Sequence, residues 1–173
     1  MILLKDISKK DIMVINGWRN DFELIHLLVA PFRYINLETD EAWFDQYMRN
    51  KSSQVRCGIW LKDQEKLIGV VNLINIDNVS RNAEFSIMIG DQDYHNKGIG
   101  TLATQLILNH AFVHLNLHRI HLTVLDYNFP AIRLYEKVGF QKEGVLREAI
   151  FKDGEYRNVI QFSILKKDFL KGI

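Results

Sequence analysis

The chain has 173 residues, 47% of them hydrophobic, enough for a single domain (1–173) with a core of its own. Its 22 basic and 21 acidic residues leave a formal charge of +1 with no long run of like charges, which argues against a nucleic-acid partner. No apolar run approaches the ~18–20 residues of a membrane span, and the opening "MILLKDISKKD" lacks a secretion signal's apolar stretch, so a cytoplasmic protein with no membrane partner is expected.

The first element in chain order is a helix over 9–19, because Ser8 stands three residues before Asp11 and Ile12, Ile15 and Trp18 follow at helical intervals. A second helix follows in "EAWFDQYMRN", headed by Thr39 and Asp40, with acids in its first turn and Arg49 in its last. From Val55 to Ile89 the pattern becomes β-branched and apolar. The segments "VRCGIWLK", "KLIGVVNLINID" and "AEFSIMIG" read as a three-stranded meander. The only cysteine, Cys57, falls in the first of these as a small core hydrophobe with no activating neighbour. Next, Ile99, Leu102, Ala103, Leu106, Ile107, Ala111 and Phe112 mark one face of a long helix. "HRIHLTVLD" is a strand with Ile120, Leu122 and Val124 inward, and "NFPAIRLYEKVGF" is a helix opened by Asn128 and Pro130 and closed by Gly139. Two last strands join at Asp153-Gly154, a hairpin signal. The resulting order, ααβββαβαββ, predicts an α/β fold with a mixed sheet.

The segment "DQDYHNKGIGTLATQL" opens the long helix with two glycines beside a lysine. Gly98 and Gly100 allow a ligand to approach the backbone, and the first-turn N–H groups, the helix dipole, Lys97 and the Thr101 hydroxyl together suit a pyrophosphate. The spacing matches neither the P-loop nor the dinucleotide fingerprint, which disfavours ATP and NAD by those routes. Taken alone, the loop is equally an ordinary glycine-bearing turn.

Residues further along the chain change that balance. "HNKGIG" meets the pattern of Gln or Arg, two residues, Gly, one residue, Gly or Ala at all but its first position, where His95 stands. About thirty residues later Asn128, Ala131, Leu134, Tyr135, Gly139 and Phe140 match a second pattern at every spacing. These two ordered motifs resemble those of the GNAT superfamily of N-acetyltransferases. The resemblance implies a mostly antiparallel central sheet flanked by helices. It also implies acetyl-CoA as acetyl donor, with no metal required and the pyrophosphate on the backbone of His95, Asn96, Lys97, Gly98, Ile99, Gly100 and Thr101. "INGWRNDFELIHLL", "LETDEAWFDQYMRN" and "GFQKEGVLREAIFKDGEYRNVIQFSIL" extend the likeness over nearly the whole chain, to the branch of ribosomal-protein and bacterial spermidine N-acetyltransferases. Asn158 departs from that branch, which often carries Asp there.

Acetyl transfer to an amine needs a proton acceptor, a donor for the oxyanion and an acid for the departing thiolate. Glu84, at the start of its strand, is the candidate base, directly or through water; a solvent-facing carboxylate is the plain alternative. The resemblance implies an oxyanion donor near Met88 or Ile89, Tyr135 as acid beside the thioester sulfur, and Asn128 against the pantetheine arm, a role that competes with capping its own helix. His110, His114, His118 and His121 read as polar surface rather than a metal site. In the family the first two helices and their connecting loop form a wall of the acceptor groove. Asp21, Glu23, Glu38, Asp40, Glu41 and Asp45 there would suit a polycation, and equally read as solvated helix ends. The expected reaction is acetylation of a primary amine, best a polyamine such as spermidine or spermine, by a homodimer or larger homo-oligomer. A protein N-terminus, an amino sugar or an aminoglycoside are the other acceptors, and a non-catalytic acetyl-CoA sensor is the alternative of another class, disfavoured because Glu84 and Tyr135 are both present.

Overall fold

The computed structural model describes residues 1–171. Seven strands lie in one sheet in the order β1-β2-β3-β4-β5-β7-β6: β1 Ile2–Asp6, β2 Val55–Leu61, β3 Lys66–Asp77, β4 Asn82–Ile89, β5 Arg119–Leu125, β6 Gln141–Lys152 and β7 Glu155–Leu165. All neighbouring pairs run antiparallel except β4 with β5. The helices are α1 Ile12–Arg19, α2 Phe22–Ile25, α3 Leu37–Arg49, α4 Ile99–Asn109, α5 Phe129–Val138 and α6 Lys166–Lys171.

Adjacent β3 residues Val70 and Val71 pack into different clusters, because successive strand side chains point to opposite faces. On one face α1 and α3 bury Ile12, Ile15, Phe44 and Tyr47. On the other, Ala103, Ile107, Ala111 and Phe112 of α4 and its continuation meet Ile68, Val71, Phe85 and Ile120 of the sheet. Each fully buried Val, Ile or Phe side chain among these contributes ~1.5–3 kcal/mol relative to exposure.

Several expectations are refined. The expected helix over 9–19 begins as a 3-10 turn, Lys9–Asp11, and only then becomes α1; the Ser8 capping box is present, with the Ser8 N–H donating to the Asp11 carboxylate at 2.8 Å. The second helix starts two residues before Thr39 and is capped by Asn36, whose side chain accepts from the Thr39 N–H. On α4, Leu102 and Leu106 are exposed, while Thr104 and Leu108 are buried in their place. A threonine can take a core position there because its hydroxyl donates to the Gly100 carbonyl one turn back, at 2.7 Å. After Asn109 the chain makes a π-helical turn, His110–His114. β1, α2 and α6 are additional to the expected order. Asp153 and Gly154, both at positive φ, form a two-residue turn with Lys152 paired to Glu155.

Candidate active site

β4 and β5 pair over only three positions, Asn82 with Arg119, Ala83 with Ile120 and Glu84 with His121. Beyond Glu84 the two parallel strands part, so one edge of β4 from Phe85 to Ile89 has no strand partner, and the gap opens into a cleft of about 500 Å³.

The N-terminus of α4 forms one end of that cleft. Gly98 sits at φ +76°, a left-handed conformation that costs a side-chain-bearing residue ~1–2 kcal/mol. No side chain caps α4, whereas Asp21, Asn36 and Asn128 cap α2, α3 and α5. The first-turn N–H groups of Ile99, Gly100 and Thr101 therefore face the cleft without an intrahelical partner, at the positive end of the helix dipole. Gly100 packs closely on α5: a Cβ there would lie 2.7 Å from the Cδ1 end of Leu134, which would have to shift.

Met88, Ile89, His95, Asn96, Gly98, Ile99, Gly100, Thr101, Asn128 and Tyr135 all wall the cleft. Lys97 stands apart from the wall, its ammonium 5.3 Å from the centre of the Tyr94 ring. The His95 ring turns back to β4, where Nε2–H donates to the Ile89 carbonyl at 2.8 Å. Its side chain is thus engaged within the protein. Both ends of the Asn128 amide are engaged as well. Oδ1 accepts from the Ala131 N–H at 3.2 Å, and Nδ2 donates to the Leu27 carbonyl at 2.8 Å. Asn128 therefore caps α5 and anchors the Leu27 carbonyl, and its second Nδ2–H makes no hydrogen bond among the described residues.

Tyr135 is 6% exposed, its ring set edge-on to Phe85 at 6.0 Å and packed against Phe140 and Phe162. Among the described residues its hydroxyl has no hydrogen-bond partner, and desolvation pushes its pKa well above that of a free phenol. It stays protonated at neutral pH.

Glu84 lies outside the cleft wall, on the opposite face of β4 from Phe85. Asn75, in a bulged part of β3, donates to its Oε2 at 3.0 Å, and the ladder sets His121 of β5 beside it. Two of the acids expected to line an acceptor groove are structural. Asp21 caps α2, and Asp40, 1% exposed, is ion-paired with Arg19 and accepts from Asn16. The hollow beside them is lined by Arg19 and Arg33 instead of free carboxylates. Burial pushes the Cys57 thiol up to about 11, in keeping with an inert side chain. Among the described residues no three His, Cys, Asp or Glu side chains are grouped to hold a metal ion, and no helix is long and apolar enough to cross a membrane.

The sequence profile of the acetyltransferase (GNAT) domain matches residues 2–141. The chain belongs to the GNAT acetyltransferase family. It is an N-acetyltransferase that takes its acetyl group from acetyl-CoA. Among its relatives, the spermidine N(1)-acetyltransferase of Escherichia coli K12 is 35% identical over 164 residues, spanning 88% of this chain and 84% of that protein. The crystal structure of the spermidine N-acetyltransferase of Vibrio cholerae in complex with CoA and spermine superposes with a TM-score of 0.92, at 30% identity over 98% of both chains. A putative ribosomal N-acetyltransferase of Bacillus subtilis is 30% identical over 60% of this chain and 56% of that one.

As a GNAT enzyme, the chain has a cleft whose parts fit acetyl-CoA. The uncapped α4 N-terminus suits the pyrophosphate, and the open β4 edge offers amide partners to the pantetheine arm. The sequence reading gave the loop between the first two expected helices as a wall of the acceptor groove, without naming residues of it. Leu24, Leu27 and Leu28, from α2 and the segment after it, close the cleft opposite α4 and α5. Their apolar character was visible, but nothing local tied them to residues a hundred positions later.

Proposed function

We propose that this GNAT enzyme acetylates a primary amine of a polyamine such as spermidine or spermine. The observation that carries the chemistry is the presence, in one cleft, of an uncapped helix N-terminus and a buried tyrosine hydroxyl with no protein partner. The polyamine acceptor is supported by likeness along nearly the full chain to enzymes named for spermidine.

The neutral amine attacks the thioester carbonyl from the Glu84 face of β4, while the coenzyme lies on the Tyr135 face. Placing the two groups on opposite faces supports this division, because the amine then reaches the acyl carbon from one side of β4 while the thioester sulfur stays bonded to it on the other until the intermediate collapses. Glu84, oriented by Asn75, receives the amine proton directly or through water. A backbone N–H near Met88 or Ile89 stabilises the oxyanion as the tetrahedral intermediate forms. On its collapse Tyr135 protonates the coenzyme A thiolate. Desolvation makes a phenol a weaker acid, but it also raises the proton affinity of a thiolate desolvated beside it, which offsets the penalty on the transfer.

Release of coenzyme A thiol from acetyl-CoA, with polyamines, N-terminal peptides, amino sugars and aminoglycosides as acceptors, tests the reading. Stimulation by polyamines alone is expected, and stimulation only by peptides would replace the acceptor. One observation favours that second acceptor: Arg19 and Arg33 line the hollow where a polycation would prefer carboxylates. The enzyme is further read as a cytoplasmic homodimer or larger homo-oligomer, supported by Val145, Leu146, Phe151 and Tyr156 exposed along the β6–β7 hairpin at the sheet edge.

A further inference from the structure

Lys152, the last residue of β6, is 4% exposed, and among the described residues it has no ion-pair partner. Its three ammonium hydrogens go to backbone carbonyls at the end of α2 and in the segment after it: Ile25 at 2.7 Å, Leu28 at 2.5 Å and Ala30 at 2.7 Å. Burying an ammonium is costly unless every donor is satisfied, and here three converging carbonyl dipoles satisfy it. The same segment is held at two further carbonyls. The Tyr127 hydroxyl donates to His26 at 3.0 Å, and Asn128 Nδ2 donates to Leu27. The His26 ring also pairs with Asp153 at 2.8 Å. Five of the six carbonyls from Ile25 to Ala30 thus accept from side chains at the end of β5, the start of α5 or the tip of β6.

That segment is the strap that presents Leu27 and Leu28 to the cleft. It has little regular structure of its own, so its course depends on these donors. We propose that Lys152 is a positioning residue for acetyl transfer: its buried ammonium fixes the Ile25–Ala30 strap as the wall that closes over bound acetyl-CoA. Lys152 itself touches neither the cleft nor the reacting atoms. Its effect reaches the substrate through the strap, whereas Tyr135 is held independently by its aromatic neighbours.

Lys152→Met keeps the length and the apolar stem and removes all three donors. Loss of charge-assisted hydrogen bonds to the strap is expected to raise the KM for acetyl-CoA, and the Kd for coenzyme A by calorimetry, ~10-fold or more, with kcat at saturation within about 3-fold of the parent. Hydrogen exchange of the amides from 25 to 30 should quicken while that of β5 and β7 stays as it was, and Lys152→Arg should recover part of the affinity. A folded Lys152→Met with parental KM and Kd overturns the proposal, as does an equal loss in kcat and KM with exchange raised throughout the sheet. Should Lys152→Met not fold, Tyr127→Phe removes one strap bond and should raise KM about 2–3-fold; unchanged KM with faster exchange over 25–30 would refute the link between strap and cleft. Parent enzyme that fails to bind coenzyme A would instead refute the assignment of the cleft.

Discussion

Tyr135→Phe separates the chemistry of the cleft from its architecture. The ring is fixed by Phe85, Phe140 and Phe162, all of whose contacts phenylalanine preserves. The hydroxyl has no protein partner among the described residues, so its removal breaks no internal hydrogen bond and should change stability by less than ~0.5 kcal/mol. Coenzyme A affinity, which the proposed arrangement assigns to the α4 N-terminus and the β4 edge, should be spared. Turnover should not, because losing a positioned general acid costs ~10²–10⁴-fold, or about 2.7–5.4 kcal/mol of activation free energy. The decisive assay is thiol release at saturating acetyl-CoA and amine, beside calorimetric titration of coenzyme A into parent and variant. The pH profile adds a sign. Burial raises the tyrosine pKa, so the acid form persists throughout the neutral and mildly alkaline range, and kcat of the parent should show no fall from tyrosine ionisation below pH ~10. An unchanged kcat in the variant refutes Tyr135 as the acid. A kcat loss accompanied by an equal loss of coenzyme A affinity refutes the separation of roles.

Gly98→Val should weaken coenzyme A binding by at least ~10-fold in calorimetry, whereas Gly98→Asn should retain more of it. A Cβ at Gly98 meets no atom within 4 Å, so equal affinities for the two variants would show that backbone conformation is not the cause. Glu84→Gln should depress kcat/KM for the amine most at lower pH, where neutral amine is scarce, and a pH–rate profile parallel to that of the parent would remove Glu84 as the base. Asn158 donates to Asp126 at 3.0 Å and accepts from the bulged Glu148 N–H at 2.9 Å, so Asn158→Asp would set two carboxylates against each other. A loss of ~1–2 kcal/mol, or about 2–8 °C in Tm, is expected near pH 7.5, narrowing below pH ~4 as one carboxyl protonates. A gap independent of pH would show that charge repulsion is not responsible.

Local chemistry made much of this enzyme legible. The two-glycine loop, Asn128 ahead of Pro130 and the Asp153-Gly154 turn each state a backbone requirement within a few residues, and each stands where the sequence put it. The misses have a common origin in tertiary context. The apolar residues of α4 cover more than one face, so periodicity could not decide between Leu106 and Leu108. Packing chose Leu108, and the bond from Thr104 to Gly100 made the polar neighbour acceptable. β1 is only five residues long, and it acquires its identity from pairing with β2 some fifty residues later.

Charged residues were the hardest to place, because a carboxylate or ammonium in a helix end or hairpin ordinarily belongs to solvent. Asp40 is buried because Arg19 and Asn16, twenty or more residues earlier, reach it. Lys152 is buried because a strap more than a hundred residues earlier supplies three carbonyls. In both cases the partners share no periodicity or spacing that a reader of the chain could test. Yet these are the groups that carry geometric information: a buried charge is tolerated only in the one arrangement that satisfies it, so it fixes the position of its partners more tightly than an apolar contact can. In the cleft this divides the labour. In the proposed arrangement, backbone conformation at Gly98 and the open edge of β4 prepare the place of the coenzyme, and the buried Lys152 ammonium determines where the remaining wall stands.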